Sequence, residues 1–261
     1  MKFTQNLAIE TGKILIDYFQ TSGVKQAFKD DQTIVTEADL EADQLIRTRI
    51  KKAFPDDGIL SEEENTVYPK GKDFVWVIDP LDGTSNFSLG LYYWGVLISR
   101  INHGIPDLTV QYYPLLDEIY TSVSGEGAYL NNRQLQIDPN PSSHREMFFS
   151  CCSRTHRRYE VDIPHKPRIL GSAGYGLSTI ARGSAVLALE VTPKVWDFAG
   201  SVLITKEAGG YIAPLEGGSI FPLLPGMDYK NHSYPLLAAR SEEKWLFGKT
   251  HLKPKENQDS M

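Results

Sequence analysis

Apolar residues recur at helical spacing in two segments near the start of the chain. Residues 2–19 repeat apolar side chains such as Leu7 and Leu15 every three or four positions, which is the period of an amphipathic helix. A second apolar stripe among charged residues predicts a helix over Glu37–Ala53, with Thr36 as its N-terminal cap. Two helices are therefore expected before the first long apolar run.

Strand patterns dominate the middle of the chain. Residues 74–78 form a short, apolar, β-branched run that predicts a buried strand ending at Asp79-Pro80. The segments that follow predict an antiparallel meander with strands over 95–101, 108–113 and Glu118–Val123. Further strands are predicted over 146–151, 168–171, 185–191 and Leu236–Ala239, and further helices over 174–182, 197–208 and 242–247. Because no internal repeat is present, this alternation predicts helices and sheets layered in one unit.

Length and composition agree with that organisation. The chain has 261 residues, of which 41% are hydrophobic and 23% are charged, as in an ordinary soluble globular protein. Since no linker marks a boundary, residues 1–261 are expected to form a single unit. Its two halves would be an α+β half over about 1–140, which carries most of the acidic motifs, and an α/β half over about 141–252. A polar, disordered tail is expected over 253–261.

Charge and terminal sequence narrow the functional classes. The formal net charge of -6 argues against nucleic acid as a partner, because such proteins usually carry a clustered basic excess. Residues 1–6 lack the basic start of a signal peptide, and no stretch approaches the roughly 20 apolar residues that span a bilayer. A cytoplasmic protein without a membrane partner is expected. The adjacent Cys151 and Cys152 are expected to be buried thiols, because neighbouring residues seldom form an unstrained disulfide.

The most informative stretch is Asp79-Pro80-Leu81-Asp82-Gly83-Thr84, where a strand runs into a Pro-containing turn with two carboxylates. Proline fixes φ at the turn, and Gly83 lets the backbone approach a ligand closely. Hard cations such as Mg²⁺ require oxygen ligands, and two acids on one tight turn can share such ions. The alternative interpretation is a turn in which an aspartate caps the next helix.

Three further acids have ordinary structural interpretations when each is considered alone. Glu62 lies in the charge run Ser61-Glu62-Glu63-Glu64, which is typical of a solvated loop. Asp39 follows the predicted cap Thr36 by three residues, and Asp197 begins a predicted helix, so either acid could serve only as a helix cap. None of these acids identifies a site without the others.

Taken in order along the chain, these regions resemble the inositol monophosphatase family of lithium-sensitive phosphatases over about residues 5–245. The matching elements are Val35-Thr36-Glu37-Ala38-Asp39, Glu62-Glu63, the strand and turn over 76–87, Trp196-Asp197-Phe198-Ala199-Gly200 and Glu207-Ala208-Gly209-Gly210. Unrelated caps and turns seldom occur together in this order. The resemblance implies an α+β fold, a layered α/β/α/β/α sandwich of the inositol monophosphatase and fructose-bisphosphatase type, commonly paired as a homodimer.

The resemblance also implies a metal site. Its ligands would be Glu62, Asp79, the carbonyl oxygen of Leu81, Asp82 and Asp197, around two or three Mg²⁺ ions. Carboxylates that converge in this way need cations, because two like charges about 4 Å apart repel by about 4 kcal/mol at an effective dielectric constant of about 20.

The same resemblance implies roles in catalysis. Glu62 and the pair Asp39 and Thr84 would orient and deprotonate the attacking water, and which of them is the base stays open. The backbone N–H groups of Gly83 and Thr84 would bind phosphate oxygens. Water would attack directly, without a covalent phosphoenzyme, and Li⁺ would inhibit by occupying one magnesium position.

The leaving alcohol would lie against the family's hydroxyl-binding elements. These match Gly171-Ser172-Ala173 and Glu190, beside Asp197, and a carboxylate such as that of Glu190 accepts hydrogen bonds from neighbouring hydroxyls. Inositol monophosphate is therefore the leading substrate. The basic segment 154–158 is either a solvated surface loop or, if one guanidinium reaches the pocket, a site for a second anion.

Other small phosphate monoesters and one other class of protein stay open. The other substrates are fructose 1,6-bisphosphate, histidinol phosphate and adenosine 3',5'-bisphosphate. The other class is a non-catalytic regulator that binds phosphate ligands or a protein partner. Loss of one acid would suffice for such a change of role, yet every acid of the motifs is present. An Asp82→Asn substitution is expected to abolish activity and to leave the fold intact.

Overall fold

The computed structural model describes residues 1–20, 26–28, 34–139 and 147–255 of the chain. In this part of the chain the helices are Lys2–Gln20 (α1), Glu37–Ala53 (α2), Thr84–Ser88 (α3), Thr155–Arg158 (α4), Ala173–Arg182 (α5), Val195–Glu207 (α6) and Glu242–Thr250 (α7). The strands are Gln26–Phe28 (β1), Ile34–Thr36 (β2), Gly58–Ser61 (β3), Phe74–Asp82 (β4), Gly95–Asn102 (β5), Ile105–Tyr113 (β6), Glu118–Val123 (β7), Gly127–Leu130 (β8), Arg133–Leu135 (β9), Phe148–Cys151 (β10), Tyr159–Val161 (β11), Pro167–Arg168 (β12), Ala185–Glu190 (β13), Tyr211–Pro214 (β14), Leu236–Ala239 (β15) and Leu252–Pro254 (β16).

A seven-stranded sheet is built from the first half of the chain, in the order β3-β4-β5-β6-β7-β8-β9. β3 and β4 are parallel, and each following pair is antiparallel. His103 and Gly104 between β5 and β6 both have positive φ, as a tight two-residue hairpin requires. The predicted meander is confirmed, and the tight hairpin lets β5 and β6 extend beyond their predicted ends, up to the turn itself.

A five-stranded sheet has the order β12-β10-β13-β15-β14. β10 is parallel to β12 and β13, whereas β15 is antiparallel to β13 and β14. Because β10 and β13 run in the same direction, the residues that follow them meet at one edge of the sheet. The backbone N–H of Cys152 accordingly donates to the carbonyl of Leu189 at 3.2 Å.

Alternation along the strands sorts the apolar side chains into layers. In β4, Trp76 and Ile78 pack with α1 and α2, whereas Val75 and Val77 pack with α5 and α6. In β13, Leu187 belongs to the apolar cluster beneath α7. The order of layers is therefore α1 and α2, the seven-stranded sheet, α5 and α6, the five-stranded sheet, and α7. This order confirms the predicted α/β/α/β/α sandwich.

Two boundaries near the predicted site differ from the sequence pattern. β4 continues to Asp82 instead of ending at residue 78, because it pairs with β5 again after an irregularity between Asp79 and Asp82. α6 begins at Val195, so Asp197 is its third residue and not its cap. Both differences place an acid inside an ordered element instead of a turn.

Several predictions in the second half of the chain are wrong in extent. The helix predicted over 242–247 continues to Thr250, and the strand predicted over 146–151 begins at Phe148. The strand predicted over 168–171 is reduced to Pro167–Arg168. Residues 253–254, assigned to the disordered tail, lie in β16, which pairs with β11. Residue 146, predicted to begin a strand, and residues 256–261 lie outside the described residues. Among the helices that the structure describes, each is too short or too polar to cross a membrane.

Candidate active site

The parallel strands β3 and β4 end side by side at one edge of the seven-stranded sheet. Ser61 pairs with Ile78 in the parallel register, so the next residues, Glu62 and Asp79, emerge together. The first turn of α6 adds Asp197. One carboxylate oxygen from each of these three acids lies within 4.8 Å of the other two. We call Glu62, Asp79 and Asp197 the acidic cluster.

A buried polar clamp holds the end of β3 in front of Glu62. The hydroxyl of Ser61 donates a hydrogen bond to Asp43 of α2, and Arg47 donates to the same carboxylate at 2.6 Å. The backbone N–H of Glu62 donates to the carbonyl of Ile78 at 3.2 Å. α2 and β4 together therefore position an acid that the sequence places in an ordinary charge run.

Backbone N–H groups orient two members of the acidic cluster. Asp79 accepts from the N–H of Leu81 at 3.0 Å, and Asp197 accepts from the N–H of Lys194 at 2.7 Å. A carboxylate has about four lone-pair sites. These contacts therefore fix the direction of each group without using up its capacity to bind a cation.

Asp39 makes both the helix-capping contact and a contact with Thr84. One carboxylate oxygen accepts from the N–H of Thr36 at 2.8 Å and closes the capping box of α2, which confirms the capping prediction. The other oxygen lies 3.2 Å from the hydroxyl of Thr84, which is also 3.0 Å from the carbonyl of Leu81. The Thr84 hydroxyl has one proton and so donates to only one of these acceptors at a time.

Asp82 faces α5 instead of the acidic cluster. Its carboxylate accepts from the N–H groups of Ala173 (3.0 Å) and Gly174 (2.9 Å) and from the hydroxyl of Ser172, the N-cap of α5. The positive end of the helix dipole favours a carboxylate at this position. The ligand set implied by the resemblance is therefore divided between the acidic cluster and an aspartate held by α5.

Desolvation raises the pKa values of four aspartates in this region, Asp39, Asp79, Asp82 and Asp197. It raises the pKa values of Asp39 and Asp82 to about 6. For Asp79 and Asp197, desolvation and then the nearby Glu62 carboxylate raise the pKa well above its usual range. Carboxylate and carbonyl oxygens are the ligands of hard divalent ions, whereas zinc sites usually include His or Cys. The donor set of the acidic cluster fits a hard divalent cation such as Mg²⁺.

These groups line one cavity of about 580 Å³. The residues predicted from the sequence that line it are Glu62, Asp79, Leu81, Asp82, Gly83, Thr84, Gly171, Ser172, Ala173, Glu190 and Asp197. Asp39 is only 1% exposed and lies behind Thr84. The structure thus brings residues from both sheets and from three helices to a single cavity.

Asn86 supports one wall of the cavity. Its side-chain amide donates to the carbonyls of Tyr93 (2.6 Å) and Leu170 (2.8 Å). Gly83 and Gly171 have positive φ, and a Cβ there would lie 2.7 Å from the Tyr93 carbonyl and 2.5 Å from Asn86 Oδ1, respectively. Both positions therefore require glycine for conformation and for space.

Several residues were not predicted to line the cavity, and one of them, Cys152, was expected to be a buried thiol but is only partly buried. They are Ser85, Asn86, Cys152, Ser153, Ile169, Thr192 and Pro193. Ser85 and Asn86 belong to the matching element over 76–87 and could have been found there, whereas the others follow β10, β12 or β13 without a motif. Within the basic segment 154–158, Arg154 lines the cavity and Arg157 and Arg158 do not.

Glu207, the acid of the matching element Glu207-Ala208-Gly209-Gly210, has a structural contact outside the cavity. Its carboxylate accepts from the N–H groups of Gly125 (2.8 Å) and Gly127 (2.9 Å). These bonds tie the turn between β7 and β8 to the end of α6. The two matching elements at the ends of α6 thus contribute a cavity residue, Asp197, and a packing residue, Glu207.

The chain is similar to proteins of known fold and activity. The histidinol-phosphatase of Chlorobaculum parvum is 34% identical over 221 residues, which cover 80% of this chain and 83% of the relative. The fructose-1,6-bisphosphatase/inositol-1-monophosphatase of Thermotoga maritima is 33% identical over 202 residues, which cover 74% and 75% of the two chains. The crystal structure of the extragenic suppressor protein SuhB from Bartonella henselae has the same fold, with a TM-score of 0.79, 24% identity and coverage of 96% and 97%.

The fold and the site define a layered α/β protein with a candidate site for hard divalent cations. The sequence profile of the inositol monophosphatase family matches residues 1–251, and the chain belongs to that family. It is accordingly an enzyme of the phosphoric monoester hydrolase class.

Proposed function

We propose that this enzyme hydrolyses a small phosphate monoester by direct attack of water, with two or three Mg²⁺ ions as cofactors. The observation that carries the proposal is the acidic cluster, whose three carboxylate oxygens lie within 4.8 Å of one another. Three negative charges at this spacing are unfavourable without a counter-ion. The residues that would hold the ions are Glu62, Asp79, Asp197, Asp82 and the carbonyl of Leu81.

Bound cations would supply a water of lowered pKa and would offset the charge that develops on the phosphate and on the leaving oxygen. The protein's own contribution is to orient the water. When Thr84 donates its proton to Asp39, at 3.2 Å, the lone pairs of its oxygen are available to a water molecule in the cavity. Glu62 offers a second acceptor from the end of β3.

Either acceptor could remove the proton from the water. The pKa of Asp39, raised to about 6 by desolvation, is close to the working pH of a neutral enzyme, which suits a general base. Asp39 would act through Thr84, whereas Glu62 lines the cavity directly. If Asp39 is the base, substitution of Glu62 should leave more residual activity than substitution of Asp39. If Glu62 is the base, the opposite is expected.

The backbone N–H groups of Gly83 and Thr84 are the proposed contacts of the phosphate oxygens. Both residues line the cavity beside the acidic cluster. The positive φ of Gly83 turns the chain sharply after β4, and the absence of a side chain there leaves room for a ligand. These donors would hold the phosphate without adding a charged group.

Inositol monophosphate is the leading substrate. Its hydroxyls would face Glu190, Asp197 and the segment Gly171-Ser172-Ala173, all of which line the cavity. The names of the relatives, histidinol-phosphatase and fructose-1,6-bisphosphatase/inositol-1-monophosphatase, keep histidinol phosphate and fructose 1,6-bisphosphate as alternatives. Adenosine 3',5'-bisphosphate is a further one.

The test is phosphate release from these four compounds at a fixed Mg²⁺ concentration and in EDTA. We expect Mg²⁺-dependent turnover of inositol 1-phosphate that Asp79→Asn abolishes. Glu126→Gln is the matched control, because Glu126 is an exposed acid outside the cavity. No turnover of any compound would favour a non-catalytic, phosphate-binding regulator instead.

Membership of the family also suggests three properties of this enzyme. We propose that the enzyme is a cytoplasmic homodimer and that Li⁺ inhibits it. Analytical ultracentrifugation tests the dimer, and a titration of LiCl into the phosphate-release assay at fixed ionic strength tests inhibition. Equal rates in LiCl and NaCl would contradict the proposed action of Li⁺.

A further inference from the structure

Arg154 is an exposed residue that lines the cavity, and the proposed chemistry does not use it. Arg154 follows β10 and Thr192 follows β13, and these parallel strands bring both residues to one edge of the five-stranded sheet. Arg154 Nη1 donates to Thr192 Oγ1 at 2.5 Å, and both residues line the cavity. The acidic cluster comes instead from the edge of the seven-stranded sheet and from α6.

In the described ranges of the chain, no carboxylate forms a salt bridge with Arg154, although the cavity contains several acids. Glu190 interacts with Arg154 electrostatically without such a direct contact. A guanidinium has five N–H donors, and the contact with Thr192 leaves the Nε and Nη2 edge available. That edge is the one with which arginine binds phosphate or carboxylate in a bidentate manner.

Glu190 connects the two charged regions of the cavity. It is buried at the end of β13, and its carboxylate interacts electrostatically with both Asp82 and Arg154. Ser172, which would face substrate hydroxyls with Glu190, also contacts Asp82. The cavity lining therefore combines acids that suit a metal-bound phosphate, hydroxyl-binding groups and a cation.

We infer that Arg154 binds a second anionic group on the leaving alcohol, so that the cavity accepts polyol or sugar phosphates that carry a further phosphate. This inference rests on the proposed function, because the scissile phosphate must lie at the acidic cluster for the rest of the substrate to reach Arg154. A monophosphate would use only the hydroxyl-binding part of the same cavity. The other arginines of the segment 154–158 lie outside the cavity lining and have no such role.

The test compares fructose 1,6-bisphosphate with fructose 1-phosphate, which share the ester at C1 and differ in the second phosphate. The measured quantity is the ratio of their kcat/KM values at fixed Mg²⁺ and ionic strength. In Arg154→Gln this ratio should fall about 10- to 100-fold, the range expected for hydrogen bonds to a charged group, and mainly through KM. Arg154→Lys should fall between wild type and Arg154→Gln, because an ammonium keeps the charge but not the fork.

Arg157→Gln is the matched control, since Arg157 is an exposed arginine of the same segment outside the cavity. It removes the same charge and should keep the wild-type ratio. Thr192→Val tests the anchor of the guanidinium and should lower the ratio by a few-fold. Thermal unfolding of each variant checks that the fold is retained.

The outcomes separate the two levels of the proposal. Turnover of monophosphates with a ratio that is the same in wild type, Arg154→Gln and Arg157→Gln would overturn the role of Arg154 alone. An equal fall of the ratio in Arg154→Gln and Arg157→Gln would also overturn it, because the effect would then be one of net charge. No turnover of any phosphate monoester by wild type would instead overturn the proposed function.

Discussion

Asp79 offers the most direct test of the charge balance in the site. It is 2% exposed, and its ligand oxygen lies within 4.8 Å of those of Glu62 and Asp197. At an effective dielectric constant of about 20, two full charges at that distance repel by about 3.5 kcal/mol. Asp79→Asn removes both repulsions and the cost of desolvating a charge, and its amide oxygen can still accept from the N–H of Leu81.

The metal-free variant should therefore be more stable than metal-free wild type at pH 8. Because the neighbouring carboxylates relax and take up protons in the wild type, we expect a net gain of about 2 kcal/mol. For a chain of this length, that gain corresponds to a rise in Tm of about 4–8 °C. The sign is unusual for a substitution of a buried polar residue, most of which destabilise.

The assay is thermal unfolding in EDTA and in saturating Mg²⁺. Mg²⁺ at about 100 times its Kd should stabilise wild type by about 2.7 kcal/mol, and Asp79→Asn should show little of this effect. Glu126→Gln, which removes one exposed charge, should behave as wild type in both buffers. A metal-free Asp79→Asn protein that is no more stable than wild type, or that gains as much from Mg²⁺, would refute the assignment of a repulsive, cation-binding cluster.

Three further predictions concern single substitutions, two of them at acids of the candidate site and one at a glycine of α6. Asp82→Asn should abolish phosphate release and also lower the free energy of unfolding by about 1–3 kcal/mol, because its NH₂ group would face the N–H donors of α5; wild-type stability in urea titration would contradict this and restore the expectation of an intact fold. In the metal-free protein the pKa of Asp39 is raised by desolvation from 3.8 to about 6. The folded state therefore binds this proton more tightly than the unfolded state, and the resulting stabilisation is complete below about pH 4. That contribution of about 3 kcal/mol is lost as the pH rises through about 6, so the stability of Asp39→Asn should change less between pH 4 and pH 7, and parallel urea-unfolding profiles for the two proteins would exclude this reasoning. Gly200→Ala should destabilise by about 1–3 kcal/mol, because the added Cβ would lie 2.9 Å from Ser99 Oγ and closer still to Thr109; an unchanged denaturation midpoint would show that the layers between the sheets can separate at no cost.

The secondary structure near the site was largely predictable because local rules decide it. The bounds of α2 and its cap Thr36 follow from a capping box followed by an apolar stripe. β7 and β15 likewise have their predicted bounds. Predictions failed where pairing with another strand sets the length of a strand. β4 extends to Asp82 because β5 pairs with it again. The strand predicted over 168–171 is short because β12 has only a brief parallel contact with β10.

The motifs in the sequence also identified most of the acids that line the cavity, although their role in a metal site stays a prediction. The geometry of these acids could not be predicted. The sequence offers capping and catalysis as alternatives for Asp39, yet the folded chain uses one oxygen for the cap and the other for Thr84. Glu62 acquires a defined position because Asp43, one helical turn after Asp39, clamps Ser61, and because the Glu62 N–H donates to the carbonyl of Ile78.

What the sequence determined by itself is therefore the set of chemical groups and most of the helices and strands that carry them, because spacing, caps and turns act over a few residues. Tertiary structure decided which of these groups meet. Asp82 turns to α5, about ninety positions later in the chain, and Arg154 enters the cavity because β10 and β13 are parallel neighbours. Such long-range contacts depend on strand order and layer packing, which no local pattern of residues encodes.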